Sequence, residues 1–202
     1  ILGPSGCGKT SLLNMIGGIT PQDQGIISGV HQKEVSFIFQ EPRLLPWKTV
    51  YENLEFVIKD VFTPGEVREM VNHTLEMVEL TDYCDFYPGS LSGGMKQRVS
   101  LARAFCYPSD VILMDEAFQS LDIKLKSNLM ERFSDLWEKE KRTTLFVTHQ
   151  IDEALSLGRN TLLLSQKPVK LKGQFRNDGS DRKAIREEIS RLFSLEKDED
   201  AQ

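Results

Sequence analysis

The chain has 202 residues, with 30 acidic against 25 basic side chains and a net charge of −5, the size of one ordinary globular unit. That mild acidity argues against a nucleic-acid-binding surface, and three cysteines, an odd number, give no disulfide framework and fit a reducing compartment. No apolar run approaches the ~20 residues of a membrane span, no secretory signal is visible, and 40% hydrophobic residues suffice for a core.

In chain order, Ile1 and Leu2 precede a glycine-rich loop. Such a loop ordinarily follows a complete buried strand, so the sequence reads as a fragment whose first strands are missing. Gly3-Pro4-Ser5-Gly6-Cys7-Gly8-Lys9-Thr10 fits the pattern Gly-x4-Gly-Lys-Thr. Glycines let the backbone N–H groups turn inward around phosphate oxygens, Lys9 reaches the β- and γ-phosphates, and the Thr10 hydroxyl ligates Mg²⁺. A helix from Lys9 to Ile16 opens directly from the loop and adds partial positive charge. Cys7 reads as a small residue in a tight turn, not as a redox group.

The apolar run Val35 to Phe39 predicts a strand covered on both faces, with Gln40 just past its end. A glutamine there can offer an oxygen to Mg²⁺ and couple it to the following segment. No strand is predicted from about Pro46 to Ser90. There Thr63-Pro64-Gly65-Glu66 is a capping box with proline at the first helical position, and its helix carries Val67, Met70, Val71 and Val78 on one face. Leu91-Ser92-Gly93-Gly94 then opens a helix that runs to Phe105 and is ended by Tyr107-Pro108. Two glycines and a serine at a helix start form an anion site.

Val111 to Met114 is a second buried strand, ending in Asp115-Glu116. After a phosphate loop, Asp115 is expected to hold Mg²⁺ and Glu116 to act as general base on the attacking water. Ile123 to Glu140 is a long amphipathic helix with Leu125, Leu129, Phe133, Leu136 and Trp137 on a core stripe. Thr144 to Thr148 is a third strand, and His149 at its end can hydrogen-bond a γ-phosphate and sense its loss. After Gly173 a polar turn leads to an amphipathic helix, Arg182 to Phe193, and a frayed charged end, Glu196 to Gln202. Such alternation means α/β with a parallel sheet. Residues 1–45 and 106–172 are expected to form the α/β core, 46–105 an inserted helical subdomain, and 173–202 a C-terminal turn, helix and tail.

A phosphate loop with an acid pair leaves a small-molecule kinase open. Such a kinase has no use for Leu-Ser-Gly-Gly. The chain already holds one phosphate cradle, and a second makes sense if it serves the γ-phosphate bound by another copy.

In this combination the chain resembles the nucleotide-binding subunit of ABC transporters, from Ile1 to roughly Leu195. Residues 3–11 are similar to the Walker A motif, which brings Ser11 into the nucleotide contacts, and 111–116 to Walker B. Residues 91–98, Leu-Ser-Gly-Gly-Met-Lys-Gln-Arg, resemble the ABC signature, Ser120-Leu121-Asp122 the D-loop, Gln40 the Q-loop and His149 the switch histidine. The stretch Phe39 to Leu54, with Leu45-Pro46-Trp47, is similar to the nitrate/sulfonate/taurine group of bacterial importers.

The resemblance implies a P-loop NTPase fold with a mainly parallel central sheet and an inserted α-helical subdomain, and an ATPase that uses ATP and Mg²⁺. It implies Glu116, His149 and Gln40 as catalytic residues and Thr10, Gln40 and Asp115 around the metal. The nucleotide lies on residues 3 to 11 of one copy and on Ser92, Gly93 and Gly94 of the other, with Asp122 beside it, in a homodimer that closes on ATP. Implied partners are transmembrane permease subunits and, through them, an extracytoplasmic solute-binding protein, with no nucleic acid, at the cytoplasmic face of the bacterial inner membrane. Leu44, Leu45, Trp47 and Tyr51 are expected either to receive a permease helix or, for Trp47, to pack the subdomain core. A soluble ABC ATPase tied to no transporter and an inactive truncated fragment stand as alternatives. Against the family pattern, Ala117 replaces proline, Gln119-Ser120 replace Gly-Ala and Gln150 replaces aspartate. The family's adenine-stacking aromatic lies before Ile1.

Overall fold

The structure, a computed structural model, describes residues 1–30, 35–177 and 182–199, with side chains as far as 193. The chain forms two compact units, Ile1–Ile26 with Leu145–Gln202, and Ile27–Thr144.

In the larger unit, β1 (Val35–Ile38) pairs in parallel with β2 (Val111–Asp115), Val35 opposite Val111 and Ile38 opposite Met114. The sheet order is β1-β2-β3, where β3 (Thr143–Val147) begins in this unit and ends in the other. Every residue of β2 is buried, as the apolar run Val111 to Met114 demands, and the burial extends to Asp115 at its end. The run from Val35 leaves the ladder at Phe39, whose ring stacks on Phe37 at 4.1 Å and carries the Arg43 guanidinium at 3.8 Å.

Between β1 and β2 lie the helices α2 (Val50–Ile58), α3 (Pro64–Met77) and α4 (Gly93–Cys106), with no strand, as expected. Capping boxes start two of them. Thr49 and Glu52 bond reciprocally ahead of α2, and Thr63 and Glu66 do the same ahead of α3, with Pro64 inside the first turn. Each cap satisfies donors that a helix start leaves open and is worth about 1 kcal/mol. The buried faces hold Leu54 and Ile58 from α2 and Val67, Val71 and Leu75 from α3. At the far end of α3, two arginines take over the open carbonyls. Arg98 donates to Val78 and Glu79, and Arg132, from α5 (Ile123–Glu140), donates to Glu76 and Met77.

The smaller unit holds α1 (Lys9–Ile16), α6 (Ile151–Leu157), the antiparallel hairpin β4 (Asn160–Leu164) and β5 (Leu171–Arg176), and α7 (Arg182–Glu199). Leu2 bridges in parallel to Thr148 on one side and Leu163 on the other. Leu2, Ala154, Leu155, Leu163 and Ile189 form its core, with Phe175, Ile185, Leu192 and Phe193 packed against them. No helix among the described residues is long and apolar enough to cross a membrane.

The hairpin is the main departure from the sequence reading. Residues 174–176 belong to β5 where a polar turn is predicted after Gly173, and residues 178–181 of that turn lie outside the described residues. The strand is hard to read because Lys172, Gln174 and Arg176 face out and Gly173 holds the inward register, where a Cβ would meet the Phe175 ring at 2.9 Å. Helix α7 also continues beyond Phe193 to Glu199, into the segment expected to fray, while residues 200–202 lie outside the described residues.

Candidate functional site

In the smaller unit the phosphate loop has the backbone its glycines permit. Gly6 and Gly8 sit at φ 78° and 115°, and the latter is far from any conformation an L side chain adopts comfortably. A Cβ on Gly3 would come within 3.2 Å of both the Cys7 sulfur and Leu164, so the start of the loop is closely packed. Cys7 is buried against it, consistent with a small residue in a tight turn.

Lys9 is only 5% exposed and donates to the carbonyls of Gly3 (2.9 Å) and Pro4 (2.8 Å). Those two bonds hold the ammonium over the loop and use two of its three donors. Thr10 and Ser11 are exposed in the first turn of α1, and the N-cap, Gly8, supplies no side-chain oxygen to the first N–H groups. A helix start whose donors meet no capping side chain, preceded by a glycine cradle and a fixed ammonium, fits a polyphosphate. Thr10 offers a hydroxyl oxygen in the smaller unit, and Gln40 and Asp115 offer amide and carboxylate oxygens in the larger, each a hard donor of the kind Mg²⁺ takes alongside phosphate.

His149 is half-buried at the turn from β3 into α6. That turn is fixed by Thr148, which bridges Leu2, donates its buried hydroxyl to Glu153 at 2.7 Å and accepts from the Gln150 N–H at 3.0 Å. Leu2 therefore ties the chain just before the phosphate loop to the turn that carries His149.

In the larger unit, the ends of β1 and β2 bring Gln40 and Glu116 together. The Gln40 amide donates to the Glu116 carboxylate at 3.5 Å and to the Gln119 side-chain oxygen at 3.2 Å. Asp115, the last residue of β2, is buried, while Glu116 is half-buried and its backbone has φ 47°. A glutamate in the left-handed region is uncommon and costs of order 1 kcal/mol, and such strain is concentrated at functional sites. Here it turns the Glu116 side chain out of the β2 line to the strand end where Gln40 stands.

Ser92 caps α4, its hydroxyl accepting from the Met95 N–H at 3.2 Å, with Ser92 and Gly93 exposed. Gly94 packs closely, since a Cβ there would lie 3.2 Å from the Ser120 carbonyl. Asp122 is exposed and caps α5 through the Leu125 N–H at 3.0 Å, as an aspartate directly before a helix does. Gln119, noted in the sequence only as a departure, joins Gln40 and Glu116. Its signal was the amide side chain itself, placed where the family pattern has glycine.

Residues 45–49 are tied to α2 by the buried Asn53, which accepts from the Leu45 N–H and donates to the carbonyls of Leu45, Lys48 and Thr49. This leaves Trp47 70% exposed, so Trp47 does not pack the subdomain core. Residues 84–86 run beside the first turn of α2, with the Val50 and Tyr51 N–H groups donating to Phe86 and Cys84. Tyr83, Phe86 and Tyr87 are exposed there as well.

Comparison with known proteins follows the same lines. A family model described as ABC transporter matches residues 1–119. The aliphatic sulfonates import ATP-binding protein SsuB of Bacillus cereus is 42% identical over 179 residues, covering 85% of this chain and 70% of that protein. An uncharacterised ABC transporter ATP-binding protein of Methanocaldococcus jannaschii is 37% identical over 179 residues, covering 85% of this chain and 67% of its own. Among solved structures, an ATP-binding cassette in a dimeric post-hydrolysis state with ADP and Pi superposes with a TM-score of 0.74 at 28% identity, over 88% of this chain and 84% of that one.

Proposed function

Because the chain belongs to the ABC transporter family and is an ATPase, we propose that it powers an importer of a small solute, by closing as a pair around ATP. The solute proposed is an anion or organic compound of the nitrate/sulfonate/taurine type, a class to which the aliphatic sulfonates of the Bacillus cereus relative's name belong. Cargo specificity itself lies in the permease and in an extracytoplasmic solute-binding protein. The site of action is the cytoplasmic face of the bacterial inner membrane, where the chain is peripheral.

In this reading the N–H groups of residues 3–11 and the Lys9 ammonium bind the triphosphate of one copy, and Ser92, Gly93 and Gly94 of the second copy bind its γ-phosphate. Thr10, Gln40 and Asp115 would hold Mg²⁺, which would supply positive charge against the triphosphate. Glu116 accepts a proton from the attacking water. His149 hydrogen-bonds the γ-phosphate, and Asp122 faces the partner copy. Gln40, bonded to Glu116, passes the state of the site to residues 41–51.

The observation that carries the importer reading is on that one segment. Gln40 reaches the acid while Trp47, a short way along the chain, presents a large apolar side chain to solvent. An exposed tryptophan just ahead of α2, with the exposed Phe86 beside the first turn of that helix, fits an anchor for a partner helix. The test is Trp47→Glu. It is expected to abolish association with the permease with little change in melting temperature, because the side chain supports no core. A variant that unfolds would assign Trp47 to packing, and one that still binds the permease would detach this surface from transport.

A further inference from the structure

We infer that Gln97 is a positioning residue that holds the ends of β1 and β2 in register with the signature helix, and so sets the geometry of Gln40 and Glu116. The inference rests on the roles given to those two residues above.

Gln97 lies on α4, on the turn after the Ser92 cap, and is 1% exposed. Its side-chain nitrogen donates to the Phe39 carbonyl at 3.4 Å and to the Ala117 carbonyl at 3.0 Å. Both partners are carbonyl oxygens, so the amide orientation is fixed, because its own oxygen cannot face them. Phe39 is the residue before Gln40, and Ala117 the residue after Glu116. One buried amide therefore bridges the backbones on either side of the 3.5 Å contact between Gln40 and Glu116.

A buried primary amide is costly unless its hydrogen bonds are made, and the Gln97 side-chain oxygen meets no donor among the described residues. An apolar side chain of similar length would fill the place without that cost. What the amide adds is direction, with two hydrogen bonds from the helix that starts at Ser92 to the two strand ends that carry the acid and its glutamine. Gly94, on the same helix, packs closely on the Ser120 carbonyl, so the helix start meets the turn after Glu116 at a second point. Movement of the signature helix, as when its cradle engages a partner's γ-phosphate, is thereby delivered to Phe39 and Ala117. A displacement of a reacting group by about 1 Å can cost about 100-fold in rate, so a loss of this bridge reads as lost turnover and not as lost binding.

The test is a double-mutant cycle on the whole chain, with Gln97→Met, Glu116→Gln and both together, reading turnover, ATP dissociation constant and melting temperature. Gln97→Met is expected to lower kcat by about 10- to 100-fold with the ATP dissociation constant within about twofold. In the Glu116→Gln background the same change is expected to have little further effect on the residual rate, because the group being positioned is gone. A purely structural role would lower stability in both backgrounds and multiply the losses. If Glu116→Gln keeps near-normal turnover, the assignment of the base fails. If Glu116→Gln is slow but Gln97→Met is as fast as the parent, the positioning role alone fails. Should Gln97→Met not fold, the same cycle with Gln97→Glu decides, and failure of both to fold overturns the inference in favour of a packing role.

Discussion

The phosphate loop and the Gln40–Glu116 corner are built in opposite ways. The loop is made of backbone. Glycines at 6 and 8 adopt left-handed φ, a helix opens without a side-chain cap, and Lys9 is the main side chain, strapped to two carbonyls of its own loop. All of this is local, within a few residues of sequence. The corner is made of side chains from distant positions, with the Gln40 amide bonded to both Glu116 and Gln119 and Glu116 held at φ 47°. The lesson is that binding elements which use N–H groups survive as short motifs, whereas an element that must place one carboxylate depends on tertiary packing.

If the corner is the chemical part, Glu116→Gln should have the largest effect. Turnover is expected to fall by roughly 10²- to 10⁴-fold, as for loss of a general base, with ATP binding retained in an equilibrium titration. Near-normal turnover would remove the corner from the chemistry and collapse the contrast with the loop.

The loop is tested through its backbone. Gly8→Ala forces a Cβ into φ 115°, at a strain of about 1–3 kcal/mol, and is expected to weaken ATP binding by about 10-fold or more. Gly6→Ala, at φ 78° with open space around the new carbon, should do less, about 1 kcal/mol. Equal effects in calorimetric titrations would mean that the loop relaxes and that the difference in φ between the two glycines does not set the cost.

Away from both regions the expected effects are smaller. Thr63→Ala removes one half of the capping box at α3 and should lower stability by about 1 kcal/mol in a denaturant melt, leaving nucleotide affinity unchanged. A change in affinity there would show that the helical segment, and not only the loop, shapes the nucleotide site.

The legibility of the chain follows the same division. Helix starts were readable because Thr63-Pro64-Gly65-Glu66 carries its own hydrogen-bond partners, and β2 because five consecutive residues are buried on both faces. The phosphate loop, the acid pair and the Ser-Gly-Gly helix start stand out for the same local reasons. The β4–β5 hairpin was not readable, since β5 shows only half-buried positions against charged neighbours and a glycine sits on its inward face. The contacts of Gln97 and Gln119 are not legible in the sequence, because an amide in a helix or turn has no sequence pattern that announces a partner dozens of residues away. Asp122 carries two roles that share one position, a place in the motif and the cap on Leu125 that an aspartate before a helix supplies. The exposure of Trp47 was also beyond the sequence, because it depends on Asn53 claiming the backbone of residues 45–49.

The central claim is that two copies close around ATP, each lending its Ser92–Gly94 cradle to the other. Light scattering on the Glu116→Gln chain, with and without Mg-ATP, tests it most directly, with ATP occupancy measured in the same samples. A shift from monomer to dimer on adding Mg-ATP is the expected result. A nucleotide-saturated chain that stays monomeric would contradict the paired mechanism.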